Sequence, residues 1–222
     1  MEECYELIDA IDSGEDDEIC EESGDVLMHA AFHAIIASEQ GRFTERDVAT
    51  GIVQKLVYRH PHVFGTTRVH SADEVLQNWD ALKMKEKSQK TQTEVLKSVP
   101  RCFPSLTRAS KVQHKAAKVG FDWPDAESAI PKIDEETNEL LRAMHGDGDI
   151  GEEIGDLLFA VVNVARLLKR DPEFLLRDAT DKFINRFAEM EKRATMQGNP
   201  LENLSFDKMN ALWDEVKNTR RM

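Results

Sequence analysis

The stretch EEIGDLLFAVVNVARLL, residues 152–168, places three acidic side chains in a segment that otherwise has the pattern of a core helix. At roughly 100° per residue, Glu153, Asp156 and Asn163 fall on one stripe of the helix. Apolar side chains occupy most of the remaining circumference, which predicts a buried helix. Because an unpaired ionised carboxylate costs several kcal/mol in a protein core, the pattern predicts that cations bind beside this stripe.

The preceding segment, KIDEETNELLRAM (132–144), carries a second acidic pair. Glu136 and Glu139 flank its apolar face, whereas Glu135 points further toward solvent. The short GDGD turn at 146–149 predicts an antiparallel helical hairpin whose acidic stripes face each other. Four carboxylates around a small volume are typical of a Mg²⁺ or Mn²⁺ site. A di-iron carboxylate bundle is an alternative, although neither half places a histidine three residues after the matching acid.

Helical periodicity runs along the whole chain and predicts an all-α fold. The chain has 222 residues, of which 41% are hydrophobic, 32% charged and only 7% aromatic, which is typical of a soluble helical protein. No period-2 run bounded by turn signals predicts a sheet. The predicted helices cover residues 1–11, 17–39, 45–59, 71–96, 104–118, 126–145, 149–169, 172–196 and 205–221.

The net charge of −13 disfavours nucleic acid and anionic membranes as partners. The chain contains no apolar run long enough to span a membrane and no secretory signal pattern. Its three cysteines are odd in number and lack CxxC spacing, which argues against a disulfide framework or a zinc knuckle. These features predict a cytoplasmic protein.

The two halves of the chain repeat each other, with a two-proline segment, SVPRCFPSL (98–106), between them. We therefore predict two domains, residues 1–98 and 99–222. The second half has a leading segment, KVGFDW (118–123), that the first lacks, since the first starts at Met1 inside its acidic helix. The first copy is therefore expected to be shortened and inactive. The matching landmarks are EECYE (2–6) with EETNE (135–139), CEESGDVL (20–27) with GEEIGDLL (151–158), Lys55 and Arg59 with Lys182 and Arg186, and the tryptophan motifs at 79–83 and 213–217.

Two cations follow the acidic hairpin. Lys182 and Arg186 lie one turn apart and could hold phosphate oxygens, although an exposed basic helix face has the same pattern. Trp213 and Lys217 are also one turn apart. The tryptophan could stack on a nucleobase, or it could belong to the hydrophobic core.

These motifs resemble the MazG family of nucleoside triphosphate pyrophosphohydrolases. The second half carries the resemblance in EETNE, EEIGDLLFAVVNVAR, DKFINRF and WDEVK, and the first half in EECYE, EESGDVL, QKLVYRHPHVF and NWDALK. The resemblance implies tandem all-α bundles, an interlocked homodimer and Mg²⁺-dependent hydrolysis of nucleoside triphosphates to monophosphate and pyrophosphate. We expect broad base specificity and a role in cleansing the nucleotide pool.

The resemblance also implies roles for individual residues. The implied metal ligands are Glu136, Glu139, Glu153 and Asp156. Glu135 and Glu152 match positions that hold the nucleotide, and our own hypothesis is that one of them takes the proton from the attacking water. The implied substrate-binding residues are Lys132, Asn163, Lys182, Arg186, Trp213 and Lys217. The counterparts in the first copy are Glu3, Glu6, Glu22, Asp25, Lys55, Arg59 and Trp79.

Two positions depart from the family pattern. Phe32 stands where the second copy has Asn163, which favours the second copy as the working site. Asp149 stands where some relatives carry a basic residue beside the phosphates. Other hypotheses remain: a narrow-substrate relative such as a dUTPase-like or phosphoribosyl-ATP pyrophosphohydrolase, or a helical module that senses nucleotides without cleaving them.

Overall fold

The computed structural model describes residues 1–66, 71, 75, 79, 82 and 90–219. Regular structure in these residues is helical, with no strand, which confirms the predicted all-α fold. No described helix is both long enough and apolar enough to cross a membrane. The α helices are α1 (Glu2–Ser13), α2 (Asp16–Glu39), α3 (Glu45–Arg59), α4 (Pro61–Phe64), α5 (Gln92–Lys97), α6 (Ser105–Ala117), α7 (Ala126–Met144), α8 (Ile150–Leu167), α9 (Pro172–Met196) and α10 (Phe206–Thr219), with a short 3₁₀ helix, Leu201–Asn203, before α10.

The chain forms two compact units, Met1–Gln89 and Lys90–Met222. In the first unit α1 packs against α2, and α2 packs against α3. In the second, α7 and α8 form the most extensive helix pair, α6 packs across α8, and α9 packs against α10. The division precedes α5 rather than following it, because α5 packs against α6. The two-domain boundary at residue 98 stays a prediction of the sequence.

The predicted helix 71–96 falls largely outside the described residues. At its described end the prediction is wrong, because Lys90 and Thr91 are not helical and α5 begins at Gln92. The Thr91 hydroxyl accepts a hydrogen bond from the backbone N–H of Glu94, and the Glu94 carboxylate accepts one from the backbone N–H of Thr91. This reciprocal capping starts a new helix at a point where hydrophobic periodicity alone gives no signal.

The hairpin of α7 and α8 is fixed by caps at both of its N-termini. The Asp125 carboxylate accepts from the backbone N–H of Ser128 at the start of α7. The Asp149 carboxylate accepts from the N–H groups of Gly151 and Glu152 at the start of α8, at 2.7 and 3.1 Å. Gly148, at φ +126°, takes the turn between them through a conformation that other residues rarely adopt. The acidic residues of the two helices are thereby brought opposite each other.

The core of the second unit lies where α9 meets α10. Met190 and Ala194 of α9 and Leu212 and Val216 of α10 form a buried cluster, and Leu201, Leu204, Met209 and Trp213 pack around it. Because this cluster joins the last two long helices, it stabilises the C-terminal part of the unit through burial of apolar surface.

The predicted burial of α8 is wrong for the single chain. Only Ala160, Val162 and Ala165 of α8 are buried. The larger apolar side chains on one side of the helix are about half exposed. These exposed side chains, together with Leu168 directly after the helix, form what we call the outer stripe: Ile150, Ile154, Leu158, Val161 and Leu168.

We predict that Met190→Ala lowers the free energy of unfolding by about 2–5 kcal/mol, because it leaves a cavity in the core cluster. Met190 is 4% exposed, whereas Met196 on the same helix is 79% exposed. Met196→Ala is therefore a matched control with an expected change below about 0.5 kcal/mol. Urea denaturation measures both variants. Equal losses for the two would contradict the assigned core.

Candidate active site

Three of the four predicted metal ligands converge in the hairpin. Carboxylate oxygens of Glu136 on α7 and of Glu153 and Asp156 on α8 all lie within 4.8 Å of one another. Glu136 is 4% exposed, Glu153 is half-buried and Asp156 is exposed. The cluster therefore extends from the packed interface of the hairpin to its surface, so a ligand can enter from solvent.

Glu136 is the buried end of this cluster. Its Oε1 accepts a hydrogen bond from Lys132 Nζ at 2.6 Å, and Lys132 also contacts Glu135 Oε1 at 2.9 Å. These two carboxylates, Glu136 foremost, raise the pKa of Lys132. The second oxygen, Oε2, is buried and has no hydrogen-bond partner among the described residues. A buried carboxylate oxygen without a partner is costly unless a cation binds it.

Glu153 lies in a field of like charge. Burial raises the pKa of its carboxyl, and the neighbouring carboxylates of Glu139, Glu136, Glu152 and Asp156 raise it further. The fourth predicted ligand, Glu139, is near enough to contribute to this repulsion, but its Oε1 accepts from Arg142 Nη2 at 2.9 Å. Glu139 consequently stands beside the converged cluster of three and not within it.

The donor set fits a hard divalent cation. The cluster offers only carboxylate oxygens, which are the ligands that Mg²⁺ and Mn²⁺ prefer. The buried Glu136 oxygen lacks a partner among the described residues, and burial together with the neighbouring carboxylates raises the pKa of Glu153, so an added positive charge would favour the ionised form of Glu153.

A cavity of about 780 Å³ opens beside the cluster. Lys132, Glu136 and Asp156 line one part of it. Its volume lies in the range of about 300–1,000 Å³ that is usual for small-molecule sites. The remaining lining residues come from α5, α6, the segment Gly120–Trp123 and the second half of α8.

An arginine bridge holds one wall of this cavity. The Arg166 guanidinium donates through both Nη atoms to the Asp122 carboxylate and through Nε and Nη2 to Asn163 Oδ1, at 3.0 and 2.7 Å. The hydrogen bond from Arg166 is the main cause that lowers the pKa of Asp122. The bridge ties Gly120–Trp123 to α8 across the cavity. It also occupies the carbonyl oxygen of Asn163, a predicted substrate-binding residue.

Sequence reasoning missed Gln113, Asp122 and Arg166 as cavity residues. The sequence pattern assigns no role to the KVGFDW segment, which the first half lacks. The signal for an ion pair is Asp122 in this segment together with Arg166, one turn after Asn163 on α8.

The predicted phosphate and base contacts lie elsewhere in the single chain. Lys182, Arg186, Trp213 and Lys217 are all described, and none of them lines this cavity. Trp213 packs against the core cluster and contacts the Phe183 ring at 5.0 Å between centroids. Lys182 is exposed, and Arg186 Nε is buried without a hydrogen-bond partner in the described part of the chain.

The two predicted proton acceptors differ in their surroundings. Glu135 is paired with Lys132, whereas Glu152 is exposed in the first turn of α8. Asp149, the departure from the family pattern, caps this helix, so its carboxylate is engaged with backbone N–H groups.

A similar acidic cluster occurs in the first unit. Oxygens of Glu3, Glu6 and Glu22 lie within 4.8 Å of one another. Burial, followed by the charge of Asp25, raises the pKa of Glu22, whose Oε2 is buried without a described partner. Further along this unit, Lys55 is exposed and the Arg59 guanidinium lies over the Trp79 ring at 5.5 Å.

Comparison with known proteins agrees with the geometry. The family model for the MazG nucleotide pyrophosphohydrolase domain matches residues 1–64 and 125–194, which contain both acidic clusters. The chain belongs to the MazG family. This confirms the predicted resemblance.

Several curated proteins are similar over nearly the whole chain. A nucleoside triphosphate pyrophosphohydrolase/pyrophosphatase MazG of Thermotoga maritima is 44% identical over 217 residues, covering 98% of this chain and 83% of the relative. A nucleoside triphosphate pyrophosphohydrolase of Escherichia coli K12 is 38% identical over 221 residues, covering 98% of this chain and 84% of the relative. The Bacillus subtilis protein YabN is 44% identical, covering all of this chain and 46% of the relative.

We predict that Asp122→Asn lowers the free energy of unfolding by about 1–3 kcal/mol at neutral pH, because it weakens a charge-assisted pair with Arg166. Since Arg166 holds the folded-state pKa of Asp122 below its usual value, this contribution is complete above the usual aspartate pKa of about 3.9. It is lost as the pH falls through the lower, folded-state pKa.

The measurement is urea denaturation of the parent and the variant from pH 7 to pH 3. Their difference should be constant near neutrality and shrink in acid. Asp147→Asn, at an exposed turn position, is the matched control and should stay within about 0.5 kcal/mol of the parent. A difference that grows as the pH falls would contradict the role given to the Asp122–Arg166 pair.

Proposed function

We propose that this MazG-family chain hydrolyses nucleoside triphosphates to nucleoside monophosphate and pyrophosphate at the acidic cluster of its second unit. The observation that carries the proposal is the convergence of Glu136, Glu153 and Asp156 at a cavity large enough for a nucleotide. The reaction agrees with the printed names of the Thermotoga and Escherichia relatives.

In this proposal Glu136, Glu153 and Asp156 would hold Mg²⁺ or Mn²⁺. Glu139, the fourth predicted ligand, is bonded to Arg142 and lies outside this set. The cation supplies Lewis-acid activation of the phosphate group and of the attacking water. If a cation were held by Glu136, the Lys132 ammonium, which donates to Glu136 Oε1 here, could donate to a phosphate oxygen instead. Lys132 lines the same cavity, so it needs no large movement to make this contact.

We assign proton abstraction to Glu152 in preference to Glu135. Glu152 is exposed in the turn that carries Glu153, whereas a Glu135 oxygen is already bonded to Lys132. Attack of water at the α-phosphorus then breaks the bond between this phosphorus and the oxygen that joins it to the β-phosphorus, and pyrophosphate is released.

Four further expectations stay predictions of the sequence. They are broad base specificity, a role in cleansing the nucleotide pool, a cytoplasmic location and the absence of nucleic-acid or membrane partners.

We predict that Glu153→Gln lowers kcat/KM for pyrophosphate release by more than about 100-fold. Removing residues that merely orient metal ligands costs about 10–100-fold, so loss of a ligand charge should cost more. Glu22→Gln, the same change at the equivalent position of the first copy, should leave activity close to that of the parent. The assay measures pyrophosphate from a panel of canonical and modified triphosphates, with Mg²⁺ and with EDTA.

The panel also separates the alternatives. Activity confined to dUTP or to a phosphoribosylated nucleotide would support a narrow-substrate enzyme. Saturable nucleotide binding without pyrophosphate release would support a sensing module. Full activity in Glu153→Gln with loss in Glu22→Gln would show that the first copy is the working site.

We also propose that the chain is a homodimer in which the outer stripe of α8 is covered by a second copy. A row of half-exposed apolar side chains on one helix marks a surface that a partner buries. Aromatic and aliphatic residues of α9, including Phe174, Phe183 and Ile184, are also about half exposed and offer further apolar surface to a partner. Such a dimer would offer a second chain from which Lys182, Arg186, Trp213 and Lys217 could reach the nucleotide.

We predict that Leu158→Glu converts the dimer to monomers, because it places a charge in the centre of the outer stripe. Sedimentation velocity at micromolar concentration measures the mass. Asn210→Glu, an exposed polar position on α10, adds the same charge outside the stripe and should leave the dimer intact. A parent chain that sediments as a monomer would refute the proposed assembly.

A further inference from the structure

Arg142 engages the predicted metal ligand that stands outside the acidic cluster of the second unit. Its Nη2 donates to Glu139 Oε1 at 2.9 Å, and the two residues lie three positions apart near the end of α7. The side chain of Glu139 is 33% exposed, whereas that of Arg142 is 60% exposed. Glu139 still lies near the cluster, since its charge helps to raise the pKa of Glu153. A carboxylate beside the cluster is thus held by a cation that faces solvent.

The first copy of the acidic motif provides an internal comparison. When the EECYE and EETNE motifs are aligned, Glu6 matches Glu139 and Asp9 matches Arg142. Glu6 belongs to the acidic cluster of the first unit, whose carboxylate oxygens lie within 4.8 Å of one another. Neither α1 nor α2 contains a lysine or an arginine that could hold Glu6 elsewhere. The same spacing therefore brings this glutamate into the cluster in one copy and not in the other, and the copies differ in the residue three positions later.

A guanidinium and a divalent cation compete for the same carboxylate oxygens. Glu139 must give up its contact with Arg142 before it can bind a metal ion. A fourth carboxylate would tighten such a site, because the affinity of hard cations depends on the number of charged oxygen ligands. Arg142 can release Glu139 without becoming buried or isolated, since it is largely exposed and lies in the last turn of α7, where the helix dipole favours a cation.

We propose that Arg142 is a positioning residue that holds Glu139 away from the acidic cluster of the second unit and thereby weakens the binding of a divalent cation there. The inference rests on the proposed function, because it takes this cluster to be a metal site. Three carboxylates neutralise a divalent cation less than four do, so the arginine leaves more positive charge for the phosphate oxygens of a substrate. Arg142 accordingly tunes the site of the second unit, and Asp9 gives the first unit no equivalent.

The test is a titration of the full chain with Mn²⁺, followed by electron paramagnetic resonance, which measures binding without turnover. Binding that disappears in Glu153→Gln is assigned to the second unit, which separates it from any binding by the first. We expect Arg142→Met to lower the Kd of this component by about two- to fivefold, the factor by which a partly exposed ion pair can compete. Arg142→Lys, which can still pair with Glu139, should stay close to the parent. Arg170→Met, which removes an exposed cation just after α8, is the matched control and should also keep the parent's Kd.

A double variant shows whether Arg142 acts through Glu139. In a Glu139→Gln background, Arg142→Met should change the Kd for Mn²⁺ little, because the carboxylate that it would release is no longer there. An equal gain in both backgrounds would mean that the arginine only repels the cation from a distance, and it would overturn the inference. An unchanged Kd in the single variant Arg142→Met would overturn it as well.

The same titration separates this inference from the proposed function. Mn²⁺ binding that survives Glu153→Gln unchanged would contradict the metal site and, with it, both proposals. Binding that is lost in Glu153→Gln but unaltered in Arg142→Met would contradict the role of Arg142 alone. Tighter binding in Arg142→Met, in a chain that releases no pyrophosphate from any triphosphate, would support the role of Arg142 and contradict the proposed reaction.

Discussion

The mutual repulsion of carboxylates that converge from two helices of one hairpin is the constraint on which the candidate site depends. Glu136 comes from α7, and Glu153 and Asp156 come from α8, so only a tight turn and well-defined helix starts can bring them together. Gly148 allows the turn, and Asp149 fixes the start of α8. The local backbone thus stabilises an arrangement that electrostatics alone disfavours, and a bound cation would reverse the sign of that electrostatic effect.

How far the site could be predicted depends on the range of the interactions involved. Acids spaced three residues apart must share a helix face, so Glu136, Glu153 and Asp156 were accessible from local periodicity. Gln113 and Asp122 were not, because their roles arise where α6 and the following loop pack against α8. Glu139 shows that spacing can also predict too much. It lies three residues after Glu136, as a ligand should, but its carboxylate accepts a hydrogen bond from Arg142, and spacing does not determine the rotamer of a side chain.

The exposure of α8 illustrates a second limit of pattern reasoning. An almost wholly apolar helix predicts that its faces are covered, but periodicity does not say whether the cover is the same chain or another molecule. The single chain buries small residues such as Ala160 and Ala165 and leaves Leu158 half exposed. The prediction of burial is therefore wrong for the single chain, because apolar side chains of α8 stay exposed in it. The same exposed side chains support the proposal that a second copy covers them.

The same helix divides its circumference between two stripes. One stripe carries Asp156 and, further along, Asn163 and Arg166, all of which face the cavity, whereas Ile154 and Leu158 lie on the outer stripe. With about 3.6 residues per turn, these stripes keep their separation along the whole helix. A rotation of α8 would therefore move its carboxylates out of the acidic cluster, separate Arg166 from Asp122 and turn the outer stripe away from the second copy that we propose covers it. An insertion or deletion of one residue in α8 would rotate everything after it by about 100° and so disturb all of these contacts together.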